Sequence, residues 1–182
     1  MTPLASLVTP TPVGDALLTA SSEGLVSLEM LPPGVLATGV LAEGDLNQAH
    51  DSTAILNTAI LNTAAEQLDE YFAGALREFT VPIDWRQLSG FTAEALRTVV
   101  EIPYGETAAY GEVAIMAGRP GAARAVGTAC ARSPWSIIVP VHRVVRADDG
   151  EIDVRVEAQR VEVIVVRDAR VGRGDHLQAR IA

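Results

Sequence analysis

The stretch TAAYGEVAIMAGRPGAARAVGTACARSP, residues 107–134, carries the strongest structural signal in the chain. Thr107 is a suitable N-cap for a helix, Gly118 is a suitable end for it, and Pro134 closes a second helical segment. Two helices joined by a short turn that contains glycine form the helix-turn-helix pattern. These residues therefore predict a helix-turn-helix unit.

The second predicted helix is nearly bare of large side chains, because Ala and Gly fill most positions from Ala122 to Ala129. Such a helix can approach another surface closely. Arg124 and Arg132 project from it. Two explanations fit this composition: contact with DNA, or tight packing on a protein core.

The charge pattern around this unit differs from that of the rest of the chain. Residues 107–146 hold five arginines against Glu112 alone, whereas residues 1–106 hold three arginines against 14 acidic residues. The overall charge of −9 argues against indiscriminate binding to polyanions. The basic segment nevertheless has the sign that a phosphate backbone attracts, although an arginine-rich solvated surface would look the same.

Length and composition limit the possible classes of protein. The 182 residues suffice for one large domain or two small ones. No apolar run approaches the roughly 20 residues of a membrane span, and the N-terminus lacks the features of a signal peptide, so we expect no membrane contact and a cytoplasmic location. The single cysteine, Cys130, excludes an intramolecular disulfide and disfavours a thiol-bound metal site.

N-terminal to the predicted helix-turn-helix unit, the pattern changes from strand to helix. The first thirty residues predict hairpin-like strands with turns at Gly14-Asp15 and Glu23-Gly24. Residues 31–53 are typical of a loop, and a tandem AILNT repeat (54–63) leads into a helix that Thr63 and Glu66 would cap. We expect a linker at residues 81–90, followed by an amphipathic helix that Ile102-Pro103 stops.

C-terminal to that unit, the pattern favours strands. Ser136–Val141 predicts a buried strand, and Asp149-Gly150 predicts a hairpin turn. Residues 152–166 alternate or are β-branched, which favours strands over a helix.

Three ordered segments resemble one known family. EIPYGETAAYGEVA (101–114), GRPGAARAVGTA (118–129) and IIVPVHRVV (137–145) are similar to the O6-alkylguanine-DNA alkyltransferases, and LDEYFAGALREF (68–79) resembles their N-terminal domain. The resemblance implies an α+β fold: a small N-terminal α/β domain at residues 1–85, then a winged helix-turn-helix-like DNA-binding domain at residues 86–182. The match is good to residue 146, and the tail diverges.

The resemblance also implies roles in DNA handling. Such proteins rotate a damaged guanine out of the stack into a pocket, because the alkyl group is otherwise inaccessible. Tyr110 matches the tyrosine that turns the nucleotide out, and Arg124 matches the arginine that fills the vacated space. The DNA-binding residues expected by this resemblance and by the basic segment are Tyr110, Ala123, Arg124, Gly127, Arg132 and Arg143.

The residues for alkyl transfer depart from the family pattern. Val141 stands where the family has its acceptor cysteine, in front of His142, and Ser133 replaces an asparagine. The glutamate that orients the histidine falls near Ala169, with Asp168 as a weak substitute, and the pocket loop at Val154–Ala158 reads VRVEA. Val141, His142 and Ser133 therefore form a degenerate site with no catalytic residue expected. The predicted lesion pocket comprises Tyr110, Ser133, Trp135, Val141, Arg155 and Val156.

This division resembles the cysteine-less alkyltransferase-like branch of the family. It implies a non-catalytic protein that binds double-stranded, alkylated DNA and marks O6-alkylguanine for nucleotide excision repair proteins, with no cofactor and no metal. Two alternatives remain. Cys130 could act as a displaced acceptor thiol whose pKa Arg124 and Arg132 lower, or the chain could be a DNA-binding or interaction module without lesion specificity.

Overall fold

The structure is a computed structural model that describes residues 4–31 and 52–147, together with four short strands near the C-terminus. The chain divides into two compact units, Met1–Gln87 and Leu88–Ala182. A sheet unit followed by a mainly helical unit confirms the predicted α+β class. The wing of the predicted winged-helix domain would fall after residue 147, and most of those residues are not described by the structure.

The first unit begins with three antiparallel strands in the order β1 (Ala5–Thr11), β2 (Gly14–Ser21) and β3 (Gly24–Met30). Side chains alternate along β2, so that one set points into the core. The two turns lie at residues 12–13 and 22–23, slightly earlier than predicted. The difference arises because the glycines open the following strands instead of forming the turns themselves.

Gly24 is required by a close backbone approach. A Cβ at this position would lie 2.7 Å from backbone atoms of Pro82, Ile83 and Asp84. The Leu25 N–H donates to the Pro82 carbonyl at 2.7 Å, and the Asp84 N–H donates to the Leu25 carbonyl at 2.9 Å. Residues 81–87 therefore belong to the first unit, and the predicted linker is wrong over this range.

A buried carboxylate, that of Asp84, also holds residues 81–87 against the sheet. Asp84 is 2% exposed and accepts hydrogen bonds from Ser21 Oγ at 2.7 Å and Arg86 Nη2 at 2.7 Å. The Arg86 side chain, with help from Ser21, holds the pKa of Asp84 well below its usual range although burial opposes this. Asp84 is therefore ionised in the folded unit and links the segment to β2.

Helix α1 (Ser52–Phe72) contains the whole AILNT repeat. The prediction that Thr63 caps this helix is wrong, because the helix begins eleven residues earlier and Thr63 lies inside it. A stripe at helical spacing faces the sheet and outweighs the local capping signal. Its buried members are Asn57, Ile60, Leu61, Ala64 and Leu68.

The second unit contains helix α2 (Gly90–Val100) and two helices that follow it, α3 (Tyr110–Met116) and α4 (Ala123–Ala131). Helix α2 ends before Ile102-Pro103, as predicted. A short parallel pair, β4 (Ala108–Ala109) and β5 (Val144–Val145), closes this unit. The core side chains are Leu96, Val99, Val113, Val126, Trp135, Val139 and Val144.

Residues 136–141 are buried as predicted, apart from half-buried Ile137, but the predicted strand is wrong. The Val139 N–H donates to the Trp135 carbonyl at 2.8 Å, and Ile137 has a φ of 79° in the left-handed region. The chain therefore turns here and continues into a 3-10 turn at Val141–Arg143. A short apolar run indicates burial but does not by itself distinguish a strand from packed turns.

Four short strands are described in the tail. Strand β6 (Glu157–Ala158) pairs with β7 (Val161–Glu162), and β8 (Ile164–Val165) pairs with β9 (Ala179–Arg180). The preference for strands over a helix is confirmed at β7 and β8. The predicted turn at residues 149–150 lies outside the described residues. Among the described helices, none is both long and apolar enough to cross a membrane.

Candidate nucleic-acid interface

Helix α3 starts directly after a strand. The parallel pairing of β4 with β5 keeps Ala108 and Ala109 extended, so the helix begins only at Tyr110. The carboxylate Oε2 of Glu112 accepts the Ala109 N–H at 2.7 Å and caps the first turn. The predicted cap at Thr107 is therefore wrong by two residues, and Tyr110 stands at the N-terminus of the helix.

The predicted end of this helix at Gly118 is confirmed. Gly118 has a φ of 73°, its N–H donates to the Ile115 carbonyl at 2.9 Å, and the Arg119 N–H donates to the Ala114 carbonyl at 2.8 Å. These two bonds form a Schellman motif, which satisfies the last carbonyls of a helix. The turn then leads into α4, which ends at Ala131 before Pro134.

Helix α4 has one buried face and one exposed face. Val126, Ala129 and Cys130 are buried. The exposed face is small and basic, with Arg124 and Arg132 at its two ends. Its members are Arg124, Ala125, Thr128, Ala131 and Arg132. Within residues 52–147 no ion pair involves either arginine, so the face, which we call the α4 face, offers positive charge on a smooth helix surface.

Tyr110 lies against the same helix. A methyl group placed on Gly127 would lie 3.8 Å from Cε1 of the Tyr110 ring, which is ordinary contact. Burial raises the pKa of the Tyr110 hydroxyl, the Cys130 thiol raises it further, and the positive charge of Arg146 opposes both. The hydroxyl is therefore a neutral hydrogen-bond donor, and its ring lies against half-buried Gly127 of α4. Ala123, also expected to contact DNA, is half-buried at the start of α4.

Arg143, expected to contact DNA, has contacts within the protein. Its Nη1 donates to the Ile102 carbonyl at 2.7 Å, and its guanidinium lies 5.5 Å from the centre of the Tyr104 ring. The side chain thus joins the 3-10 turn to the loop after α2, across 41 residues of sequence. Its contact with DNA stays a prediction.

Val141 and His142 occupy the position of the expected degenerate site. Val141 is 4% exposed and has neither nucleophile nor proton to give. Burial, with a smaller contribution from the charge of Arg143, lowers the pKa of His142 from 6.5 to about 4. His142 is therefore neutral near pH 7, next in sequence to the buried, apolar Val141.

The other predicted pocket residues divide into two groups. Trp135 is 0% exposed and belongs to the core, so it supports the turn from behind. The Ser133 Oγ accepts a long hydrogen bond of 3.4 Å from the Trp135 N–H, beside the end of α4. Arg155 and Val156 lie outside the described residues, and so does Asp168, the expected weak substitute for the orienting glutamate.

Cys130 does not have the environment expected of an acceptor thiol. It is 8% exposed, and burial raises its pKa from 9.0 to about 11. The expectation that Arg124 and Arg132 lower this pKa is wrong, because both arginines lie on the exposed face of α4 and Cys130 lies on the buried face.

Sequence reasoning missed Arg146. The register of β4 and β5 brings it beside Tyr110, and only the five-arginine charge count pointed towards it. A parallel pairing of two-residue strands 36 positions apart leaves no local pattern that could have revealed this neighbour.

Comparison with known proteins identifies both units. Residues 6–85 match the family model described as 6-O-methylguanine DNA methyltransferase, ribonuclease-like domain, and residues 90–162 match 6-O-methylguanine DNA methyltransferase, DNA binding domain. Methylated-DNA--protein-cysteine methyltransferases from Mycobacterium leprae and Bacillus subtilis are 52% and 40% identical, over 46% and 45% of this chain. The matched stretch spans about half the length of these curated relatives, 50% and 49% respectively.

Solved structures are similar over a larger share of the chain. The crystal structure of Mycobacterium tuberculosis O6-methylguanine methyltransferase is 35% identical, has a TM-score of 0.59, and the match covers 80% of both chains. A crystal structure of Mycobacterium tuberculosis OGT in complex with DNA is 36% identical with a TM-score of 0.57, over 79% of this chain and 78% of that one.

Proposed function

Because this chain belongs to the 6-O-methylguanine DNA methyltransferase family, we propose that it binds double-stranded DNA and recognises O6-alkylguanine without removing the alkyl group. Helix α4 would enter the minor groove, where its small side chains allow a close approach. Arg132, at the C-terminal end of the α4 face, would meet the phosphate backbone.

The proposed mechanism is base rotation. The Tyr110 hydroxyl would displace the backbone of the target nucleotide, and Arg124 would fill the gap left in the stack. Unstacking a base requires a few kcal/mol, and less for an alkylated guanine because its pairing is already weakened. The damaged base would therefore enter the pocket more readily than a normal one.

One observation supports the proposal most strongly: the same unit has an exposed basic helix, α4, and a buried valine at position 141. An apolar wall suits an alkyl group, since burying one methyl group stabilises a complex by about 0.8 kcal/mol, or roughly fourfold in affinity. Neutral His142 beside it adds no charge that would repel the apolar group. Together with easier unpairing, we expect a preference of roughly tenfold or more for O6-methylguanine.

A fluorescence titration with two duplexes that differ only in one O6-methylguanine tests this proposal. Tighter binding of the methylated duplex supports it. Equal affinities would contradict lesion recognition. They would favour the alternative that the chain is a DNA-binding or interaction module without lesion specificity.

The absence of methyl transfer is tested by the mass of the intact protein after incubation with methylated duplex. We expect no gain of one methyl group by the natural chain, because the Cys130 thiol is buried and its pKa is raised. A gain that disappears in Cys130→Ser would establish the displaced thiol as an acceptor. We expect weak or no transfer by Val141→Cys as well, because a thiol in this apolar wall would also ionise poorly.

A lesion that is bound but not repaired needs another protein to remove it. The proposed outcome is that the complex marks the site for nucleotide excision repair proteins. Stimulated incision of a methylated duplex by purified excision proteins would support this, and unchanged incision would contradict it.

A further inference from the structure

Tyr110 and Arg146 directly follow the paired strands β4 and β5, although 36 residues separate them in the sequence. In the parallel pair, Ala108 is opposite Val144 and Ala109 is opposite Val145. The residues that follow on the two strands are Tyr110 and Arg146. The backbone register therefore brings these two residues to the same end of the strand pair.

Two observations indicate that the Arg146 guanidinium is available close to the Tyr110 hydroxyl. The β4–β5 register places Arg146 at the level of Tyr110, and the positive charge of Arg146 lowers the pKa of Tyr110, against the larger effect of burial. Arg146 is exposed, and in the stretch 52–147 no carboxylate forms an ion pair with it. Arg143, by contrast, donates to a backbone carbonyl, and Arg119 lies 3.8 Å from Glu94 and over the Phe91 ring.

We propose that Arg146 and Tyr110 together bind one backbone phosphate, the phosphate that flanks the rotated nucleotide. Both groups are hydrogen-bond donors, and a guanidinium can donate twice to phosphate oxygens. Arg146 would hold this phosphate after Tyr110 has displaced it. Arg146 would thus be a positioning residue that stabilises the rotated nucleotide. This inference rests on the proposed function.

The salt dependence of DNA binding tests the phosphate contact. Arg146→Gln should lower the affinity for a methylated duplex about tenfold at low salt and reduce the slope of log K against log salt by about 0.9, the value for one phosphate. Arg146→Lys should restore most of the slope, because it keeps the charge. Arg97→Gln, the same charge change at an exposed site in the last turn of α2, should leave the slope unchanged or change it less.

Neutral methylphosphonate linkages, placed one at a time around the lesion, then locate the phosphate. At one position the losses from Arg146→Gln and from Tyr110→Phe should both disappear, whereas any loss from Arg97→Gln should persist at that position. An unchanged slope, or a loss that persists at every position, would overturn the proposal.

Failure of this inference can be distinguished from failure of the proposed function. The natural chain is titrated with methylated and plain duplexes in the same series. A lesion preference without an effect of Arg146→Gln would overturn the Arg146 contact alone. Two results together would overturn the Arg146 contact and the proposed function: equal affinity for the methylated and plain duplexes, and a loss of affinity from Arg146→Gln that no single methylphosphonate position abolishes. The melting temperature of Arg146→Gln should equal that of the natural chain, which excludes misfolding as the cause.

Discussion

The α4 face and the 3-10 turn at Val141–Arg143 belong to the same unit but differ in exposure and charge. On the α4 face the polar groups point outwards, and within residues 52–147 neither arginine has an ion-pair partner. At the turn Val141 is buried and the two residues after it are half-buried: His142 is kept neutral, and Arg143 donates to the Ile102 carbonyl. One region exposes positive charge, and the other holds its polar side chains within the protein.

Under the proposed function, this difference separates recognition from chemistry. An alkyl transfer needs a nucleophile that can ionise, and burial of the kind seen at Cys130 and His142 disfavours the charged form of either group. Binding to DNA needs only exposed charge and shape, which the α4 face retains. The two functions can therefore be lost independently, and the predictions below test whether they have been.

The largest expected effect is on DNA binding by the α4 face. Arg124→Ala should weaken binding to a methylated duplex by roughly 10- to 100-fold, because it removes both a charge and the group proposed to fill the stack. Fluorescence anisotropy at fixed salt measures this, with Arg97→Ala as the matched control. Unchanged binding by Arg124→Ala would mean that the α4 face does not meet DNA, and the two regions would no longer differ in function.

The second prediction concerns the Arg143 side chain, which joins the 3-10 turn to the loop after α2. Arg143→Ala should lower the free energy of unfolding by about 2–3 kcal/mol, because it removes a charged hydrogen bond and a cation–π contact. Urea denaturation of Arg143→Ala and of Arg97→Ala gives the comparison. If stability is unchanged while the salt slope of DNA binding falls by about one, Arg143 is a DNA contact, as the sequence suggested.

How far the sequence could predict these regions depends on the separation of the interacting residues. Gly118 ends α3 through bonds to carbonyls three and five residues away, and such a local signal is readable from sequence. The pairing of Leu25 with Ile83, the bond from Arg143 to Ile102 and the neighbours Tyr110 and Arg146 all join distant positions. No local pattern specifies such contacts.

Local signals also failed where packing opposed them. Thr63 and Glu66 have the spacing of a capping box, yet the buried stripe of α1 continues the helix through Thr63. The apolar run at residues 136–141 correctly indicated burial, but its turns could not be read from hydrophobicity alone.

The third prediction follows from the neutral histidine in the turn. The pKa of His142 is about 4 in the folded chain against 6.5 as its ordinary value, so between these values the unfolded chain binds a proton that the folded chain does not. The free energy of unfolding is therefore not reduced by His142 above pH 6.5. As the pH falls towards 4, protonation of His142 in the unfolded chain lowers the free energy of unfolding by about 2–3 kcal/mol in total. Urea midpoints of the natural chain and of His142→Gln between pH 4 and 8 measure it.

The His142→Gln variant should lose less stability across that pH range than the natural chain. Asp84 does not interfere, because its depressed pKa confines its own loss to pH values below about 4. Parallel pH profiles for the two proteins would show that His142 is accessible to water and that the turn is not dry.

The smallest expected effect is at Gly127, where α4 meets the Tyr110 ring. Gly127→Ala should raise the free energy of unfolding by up to about 1 kcal/mol, since alanine is the better helix former and its methyl group would lie 3.8 Å from the ring. It should also weaken DNA binding severalfold if the helix lies close in the groove. Thermal melting and anisotropy of the same sample separate the two effects, and a gain in stability with unchanged DNA binding would argue against close approach at this position.

The central claim, recognition of O6-alkylguanine without repair, is tested most directly by the fate of the lesion itself. A duplex with one O6-methylguanine is titrated against its plain counterpart, incubated with excess protein, and then digested so that the remaining O6-methylguanine can be quantified. We expect tighter binding of the methylated duplex and full recovery of O6-methylguanine. Equal binding of the two duplexes, or loss of the methyl group from the DNA to the protein, would contradict it.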